Sequence, residues 1–180
     1  DANGKRLKLS DLIERVTEIE GIDRIRFTTS HPLQFTDDLI AAYNHPKLAN
    51  YLHLPIQSGS NRILKLMHRK HNVQLYIDRI SKLRALRPNI SIASDFIVGF
   101  PGETEEDFQE TLNIIDEVGF DQSFSFIYSP RPQTPAALMD DAVSYQEKLE
   151  RLNRLQSMIK ENTLKISKEM IGTDQTILVE

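Results

Sequence analysis

Three features of the 180-residue chain predict a parallel α/β fold, and specifically part of a strand–helix barrel. Strand-like and helix-like segments alternate four times at intervals of roughly 30 to 40 residues, the rhythm of repeated βα units. The stretch Ser94–Phe108 gives one unit in full: an apolar run, a break at Gly99, Pro101 and Gly102, and a helix start at Thr104. Finally, four units are too few to close a barrel that needs about eight strands. The chain therefore reads as a piece of a larger barrel-like domain with at least one sheet edge bare. The run Ile177-Leu178-Val179 supports this, because one strand makes no domain.

Each element follows from local chemistry. Asp1 to Lys8 is a polar lead-in, and a start on Asp rather than Met suggests residues upstream. Ser10 reads as the N-cap of a helix carrying Leu12, Ile13, Val16 and Ile19 and closed by Gly21. Ile22 to Thr29 reads as a short strand halted by Ser30-His31-Pro32, and Thr36 caps a helix with Leu39, Ile40 and Tyr43. Tyr51 to Ile56 is the next strand. Gln57-Ser58-Gly59-Ser60 follows at once, then a short helix with Ile63, Leu64 and Met67. From Val73 an amphipathic helix shows Tyr76, Ile77, Ile80, Leu83 and Leu86 on one stripe and stops before Pro88.

Ile90 to Val98 has the composition of a strand buried on both faces. Thr104 and Asp107 form a capping-box-like pair, Glu105 and Glu106 sit at the positive end of the helix dipole, and Gly119 closes the helix. Phe120 to Tyr128 is the last strand of the rhythm. It runs into Ser129–Pro135, whose three prolines predict a stiff, extended loop. Ser144 to about Met170 is a long helix with Tyr145, Leu149, Leu152, Leu155 and Ile159 along one face.

Composition narrows the function. A net charge of −4 argues against strong non-specific nucleic-acid binding by the chain as a whole. Without cysteine, neither a disulfide framework nor a thiolate metal site can be built from these residues. No apolar run approaches the roughly 20 residues that span a bilayer, so a cytoplasmic location is expected. His31, His53, His68 and His71 lack both a helical i,i+4 pairing and a local carboxylate pattern, so no metal ligand is assigned. No Gly-x-Gly-x-x-Gly or P-loop is present, and no catalytic residue is assigned to this chain.

Parallel sheets bind ligands at the carboxyl ends of their strands. Gln57, Asp95 and Arg131 each stand at a predicted strand end, and Arg69 follows the short helix after Gln57. An Arg to pair with a carboxylate, an Asp to accept from hydroxyls and a Gln for an amide or hydroxyl suit a polar nucleoside–amino-acid ligand. The Gly99–Gly102 turn offers backbone that a ligand can approach closely. Taken singly, each of these residues is more simply a surface loop residue; four on one rim point to a site. The basic face of Arg62, Lys65, Arg69, Lys70, Arg79 and Lys82 reads first as a solvated helix surface.

Four ordered motifs are specific enough for a family. They are Arg26-Phe27-Thr28-Thr29-Ser30-His31-Pro32, His53-Leu54-Pro55-Ile56-Gln57-Ser58-Gly59-Ser60, Asp95 to Thr104, and Arg131-Pro132-x-Thr134-Pro135-Ala136. Together they closely resemble the radical S-adenosylmethionine methylthiotransferases, above all the branch that adds a methylthio group to C2 of N6-isopentenyladenosine at position 37 of tRNA. The resemblance covers essentially the whole chain. It implies the C-terminal part of a (β/α)6-type partial barrel over residues 1–171, with 172–180 as the first strand of a TRAM-like RNA-binding domain.

The resemblance further implies S-adenosylmethionine and two [4Fe-4S] clusters in the full-length protein, one on a Cys-x3-Cys-x2-Cys loop and one in an N-terminal domain. Neither set of ligands is in this chain, so the chain is expected to be inactive alone. In the family, a reduced cluster cleaves the cofactor to a radical that takes the C2 hydrogen, and the second cluster delivers sulfur. By the same resemblance, Gln57 and Asp95 contact the ribose or amino-acid part of the cofactor, Arg69 pairs with its carboxylate, and Gly99 and Gly102 back the nucleoside. Arg131 and Thr134 lie toward the substrate, the anticodon loop of tRNA. Gln133 stands where a Gly is expected between Pro and Thr, which opens the backbone shape of that loop to question. Alternatives are the related enzyme that modifies an aspartate of a ribosomal protein, a non-catalytic scaffold, and a sugar-phosphate barrel enzyme. The last predicts a late Gly-rich phosphate loop that is not found. The bare sheet edge is expected to pair with another copy or to fray.

Overall fold

The computed structural model describes residues 7–29 and 31–175. Its elements are α1 (Leu9–Thr17), α2 (Asp37–Ala42), β1 (Tyr51–His53), α3 (Asn61–Leu66), α4 (Val73–Leu86), β2 (Ser91–Val98), α5 (Glu105–Val118), β3 (Gln122–Ile127) and α6 (Tyr145–Glu169), with single 3-10 turns at Pro32–Gln34 and Pro135–Leu138. β1, β2 and β3 form one parallel sheet in that order. Helices separate the strands, so the expected partial α/β barrel is what the described residues build.

The first predicted strand, Ile22–Thr29, is reduced to a single parallel bridge between Ile25 and Leu48. Ile25 donates to Lys47 O at 2.7 Å and Ala49 donates to Ile25 O at 2.9 Å. The segment runs beside the approach to β1, and Thr29 Oγ1 donates to His53 O at 2.8 Å. A second correction concerns Ser10, which lies inside α1; Lys8 holds the cap position. The Ser10 hydroxyl instead donates to Asp38 Oδ2 at 2.6 Å, because a partner on α2 outcompetes a local cap. Of the predicted apolar stripe of α1, Ile13 is buried while Leu12 and Ile19 are exposed.

The α5 signals translate directly. Thr104 Oγ1 accepts from the Asp107 amide, Asp107 Oδ2 accepts from the Thr104 amide at 2.8 Å, and Gly119 ends the helix at φ 60°. The core lies between the sheet and its helices: Leu52, Phe96, Phe108, Ile115, Phe120 and Leu155 have no exposed surface. Phe120 meets Phe96 edge-on at 5.3 Å, the offset geometry that aromatic quadrupoles favour.

After β3 the proline-rich segment bends rather than running extended. Thr134 N and Oγ1 both donate to Arg131 O, and Gln133 adopts φ 67°. That is the position where a Gly was expected, and the left-handed backbone explains the expectation. Gly172–Gln175 forms a turn without regular structure, and residues 176–180, the body of the predicted terminal strand, lie outside the described residues.

Candidate functional site

The site is built around a break in β1. His53 is in register with Ala93, yet Gln57 bridges Phe96 rather than Ile97, so β1 carries one residue more than β2 over the same length. This is a β-bulge, and bulges re-aim side chains beside active sites. Pro55 has no N–H for the ladder. The Ser94 hydroxyl spans the gap by donating to Leu54 O at 2.9 Å and accepting from the Ile56 amide at 3.0 Å. Tyr76 Oη also donates to Leu54 O, at 2.9 Å, and His71 Nε2 lies 3.2 Å from Ile56 O. The chain leaves the bulge with Gln57 at φ 78°, nearly buried and held by backbone bonds to Asp95 O and from Ile97 N, both 2.9 Å. A non-glycine residue in this region costs about 1 kcal/mol or more, and such strain clusters at functional sites.

Asp95 leaves the next strand on the face opposite the buried side chains of Ser94 and Phe96. Its Oδ1 lies 3.3 Å from His53 Nε2. His53 packs edge-on against Phe124 at 5.8 Å, and its Nδ1 is buried without a partner. Arg69 follows α3 and is half-buried; burial pushes its guanidinium below the usual arginine range, while the Asp95 carboxylate opposes the shift. No hydrogen bond or ion pair joins that guanidinium to another described residue. His31 and His71 stand edge-on at 5.0 Å. His31 is lowered by burial and by the charges of Arg69 and Lys70, and His71 is lowered to about 4, chiefly by burial. Gln57 thus lies just past the end of β1 against Asp95 in the second half of β2, with Arg69 in electrostatic reach of Asp95 and His53 and His71 bordering them.

The remaining predicted residues are placed differently. Gly99 donates to Glu103 Oε2 at 2.7 Å, and the aliphatic stem of Lys148 fills the space a Cβ would need. Gly102, at φ 80°, faces open space, and its carbonyl accepts from Arg62 at 2.5 Å. Arg131 is exposed on the loop leaving β3, with Thr134 bonded back to it; neither is hydrogen-bonded or ion-paired to Gln57, Arg69 or Asp95. On the basic face, Arg79 and Lys82 both pair with Asp37, and Arg62 pairs with Asp107. Burial alone would raise Asp107, but hydrogen bonds from Arg62, Thr104 and Ser60 hold it well below the carboxylate range. The sequence reading assigned no role to His53, Ser94 or His71. Pro55 and Ser94 inside apolar strand patterns were the available signal.

The chain belongs to the radical SAM superfamily, whose sequence pattern matches residues 5–115. Among solved structures, coproporphyrinogen III oxidase from Escherichia coli, a radical SAM enzyme, is similar in fold with a TM-score of 0.60 and 23% identity, over 73% of this chain and 31% of that one. Among curated proteins, the tRNA-2-methylthio-N(6)-dimethylallyladenosine synthase of Alkalilimnicola ehrlichii is 57% identical over 99% of this chain. The synthase of the same name from Baumannia cicadellinicola is 60% identical over 98%. The chain spans 40% of the length of each of these two synthases.

Proposed function

We propose that this chain is the cofactor-positioning part of a radical SAM methylthiotransferase acting on an N6-dimethylallyladenosine of tRNA, in the anticodon loop at position 37. The observation that carries the cofactor assignment is the half-buried Arg69 guanidinium, unpaired among the described residues and within electrostatic reach of Asp95. A buried cation without a partner is costly unless a ligand supplies the anion, and a guanidinium takes a carboxylate through two parallel hydrogen bonds. These residues fit S-adenosylmethionine, which carries both a carboxylate for Arg69 and amino and hydroxyl donors for Asp95 and Gln57.

When bound, that cofactor supplies the hydrogen-abstracting and group-transfer chemistry. The residues of this chain bind and orient it. Arg69 fixes the carboxylate end, His53 holds one oxygen of Asp95 so that the other faces the ligand, and the bulge at Pro55 presents Gln57. Gly102 leaves room for the nucleoside along the Gly99–Gly102 turn, while Arg131 and Thr134 stand on the loop toward RNA. The chain has no cysteine to hold a [4Fe-4S] cluster, so the roles of its residues are confined to the cofactor and the substrate.

The test uses the full-length protein. Arg69→Ala and Asp95→Asn are expected to weaken S-adenosylmethionine binding about tenfold or more, the size expected for losing a charge-assisted pair, and to abolish 2-methylthio nucleoside detected by mass spectrometry of tRNA. Unchanged cofactor binding in both variants would overturn the assignment.

A further inference from the structure

Two of the phenylalanines are on the wrong side of the sheet for packing. Phe35, Phe96, Phe108 and Phe120 are completely buried, whereas Phe124 and Phe126 are 56% and 55% exposed. They alternate along β3 with Ser123, Ser125 and Ile127, which are less exposed. Register fixes their neighbours: Phe124 is paired with Asp95, and Phe126 with Ile97. The face therefore grades from a polar end, where His53 meets Asp95 at 3.3 Å and Phe124 at 5.8 Å, to an apolar end at Ile97 and Phe126.

We infer that Phe124 and Phe126 form the subsite for the base being modified, with an aromatic face for the adenine and an apolar end for its N6 dimethylallyl group. This rests on the functional reading above. Successive same-face residues on a strand stand roughly 6.6 Å apart, a span that matches a purine extended by a branched five-carbon chain. Base–aromatic stacking needs a flat, exposed ring beside polar groups that read the base edge, and Asp95 and His53 stand beside Phe124. The residues paired at that end, Ile97 and Phe126, are both apolar, which favours the base and its alkyl group over the RNA backbone. Continuity with the cofactor residues places this subsite next to the group that would react with it.

The experiment measures binding by the full-length protein of two anticodon stem-loops, one carrying N6-dimethylallyladenosine and one carrying adenosine at the same position. The wild-type protein is expected to prefer the dimethylallyl stem-loop by about tenfold or more, since each buried methylene contributes up to roughly that order of discrimination. Phe126→Ala is expected to reduce the preference to about threefold or less, and Phe126→Leu to retain most of it, with S-adenosylmethionine binding unchanged in both. Phe124→Ala is expected to weaken both stem-loops, because it removes stacking common to the two.

A wild-type protein indifferent to the dimethylallyl group would overturn the functional reading. A wild-type preference that survives Phe126→Ala would overturn this assignment alone. So would a loss of melting temperature together with loss of cofactor binding in the Phe126 variants, which is the result expected if another part of the full-length chain covers the face.

Discussion

At His71 the structure sets up a pH dependence. Its imidazole is buried against Ile56 O, with His31 and Arg69 adding positive charge nearby, and its pKa falls from 6.5 to about 4. The folded protein therefore resists a proton that the unfolded chain accepts. Stability from this group is present above pH 6.5 and is lost as pH falls from 6.5 toward about 4. Urea titrations should show His71→Asn with a shallower decline over this window than the wild type. The difference between pH 7 and pH 4 should be on the order of 2 kcal/mol. Glycines make a second contrast. A Cβ at Gly59 would sit 2.5 Å from Glu110 O and 2.6 Å from Thr111 Cα, both backbone atoms that cannot swing aside. Gly59→Ala should cost about 2 kcal/mol or more. Gly102→Ala, strained only by its positive φ, should cost about 1 kcal/mol.

Between elements, buried charge decides the attachments. Arg151 of α6 is almost wholly buried and donates to Glu103 Oε2 at 2.9 Å, to Glu103 O at 3.0 Å and to Glu147 Oε1 at 2.7 Å. Glu103 in turn accepts from Gly99, so α6, the Gly99–Gly102 turn and β2 are tied at one point. Breaking a buried pair leaves one charge uncompensated, so Arg151→Met alone should destabilise by about 3 to 5 kcal/mol. The double variant Arg151→Met with Glu103→Gln should cost less than the sum of the two single changes, read from denaturation midpoints in a double-mutant cycle. The Ser58–Ser60 loop and the first turn of α3 are tied to α5 in a similar way. Ser60 Oγ and Arg62 Nε donate to Asp107 Oδ1 at 2.7 and 3.1 Å, and Gly59 N donates to Thr111 Oγ1 at 2.9 Å. This loop leaves the bulge directly after Gln57, so its anchoring holds Gln57 in place.

For the whole molecule, the described sheet ends on β3 at one side. An edge with two exposed aromatic residues invites pairing with another chain. The 180-residue chain by itself is expected to sediment with a concentration-dependent increase in mass, and a single monomeric species at all concentrations would count against edge pairing. No described helix is long and apolar enough to cross a membrane. The chain accounts for 40% of the length of the synthases it resembles, and its described residues build a three-stranded parallel sheet with its helices.

Local chemistry alone determined the βα rhythm, the Thr104–Asp107 cap and the Gly119 stop, because caps, periodicity and turn residues act over a few positions. The first strand was overstated for the same reason: Ile22–Thr29 has strand composition, but only Ile25 finds ladder partners. Tertiary structure decided what no short window contains. Ser94 repairs a bulge opened by Pro55 on another strand, His53 reaches Asp95 across the sheet, Lys148 covers Gly99 from a helix 49 positions later, and Arg151 pairs with Glu103 through the core. Such contacts join residues distant in sequence, and their energy arises only once packing has removed water from between them.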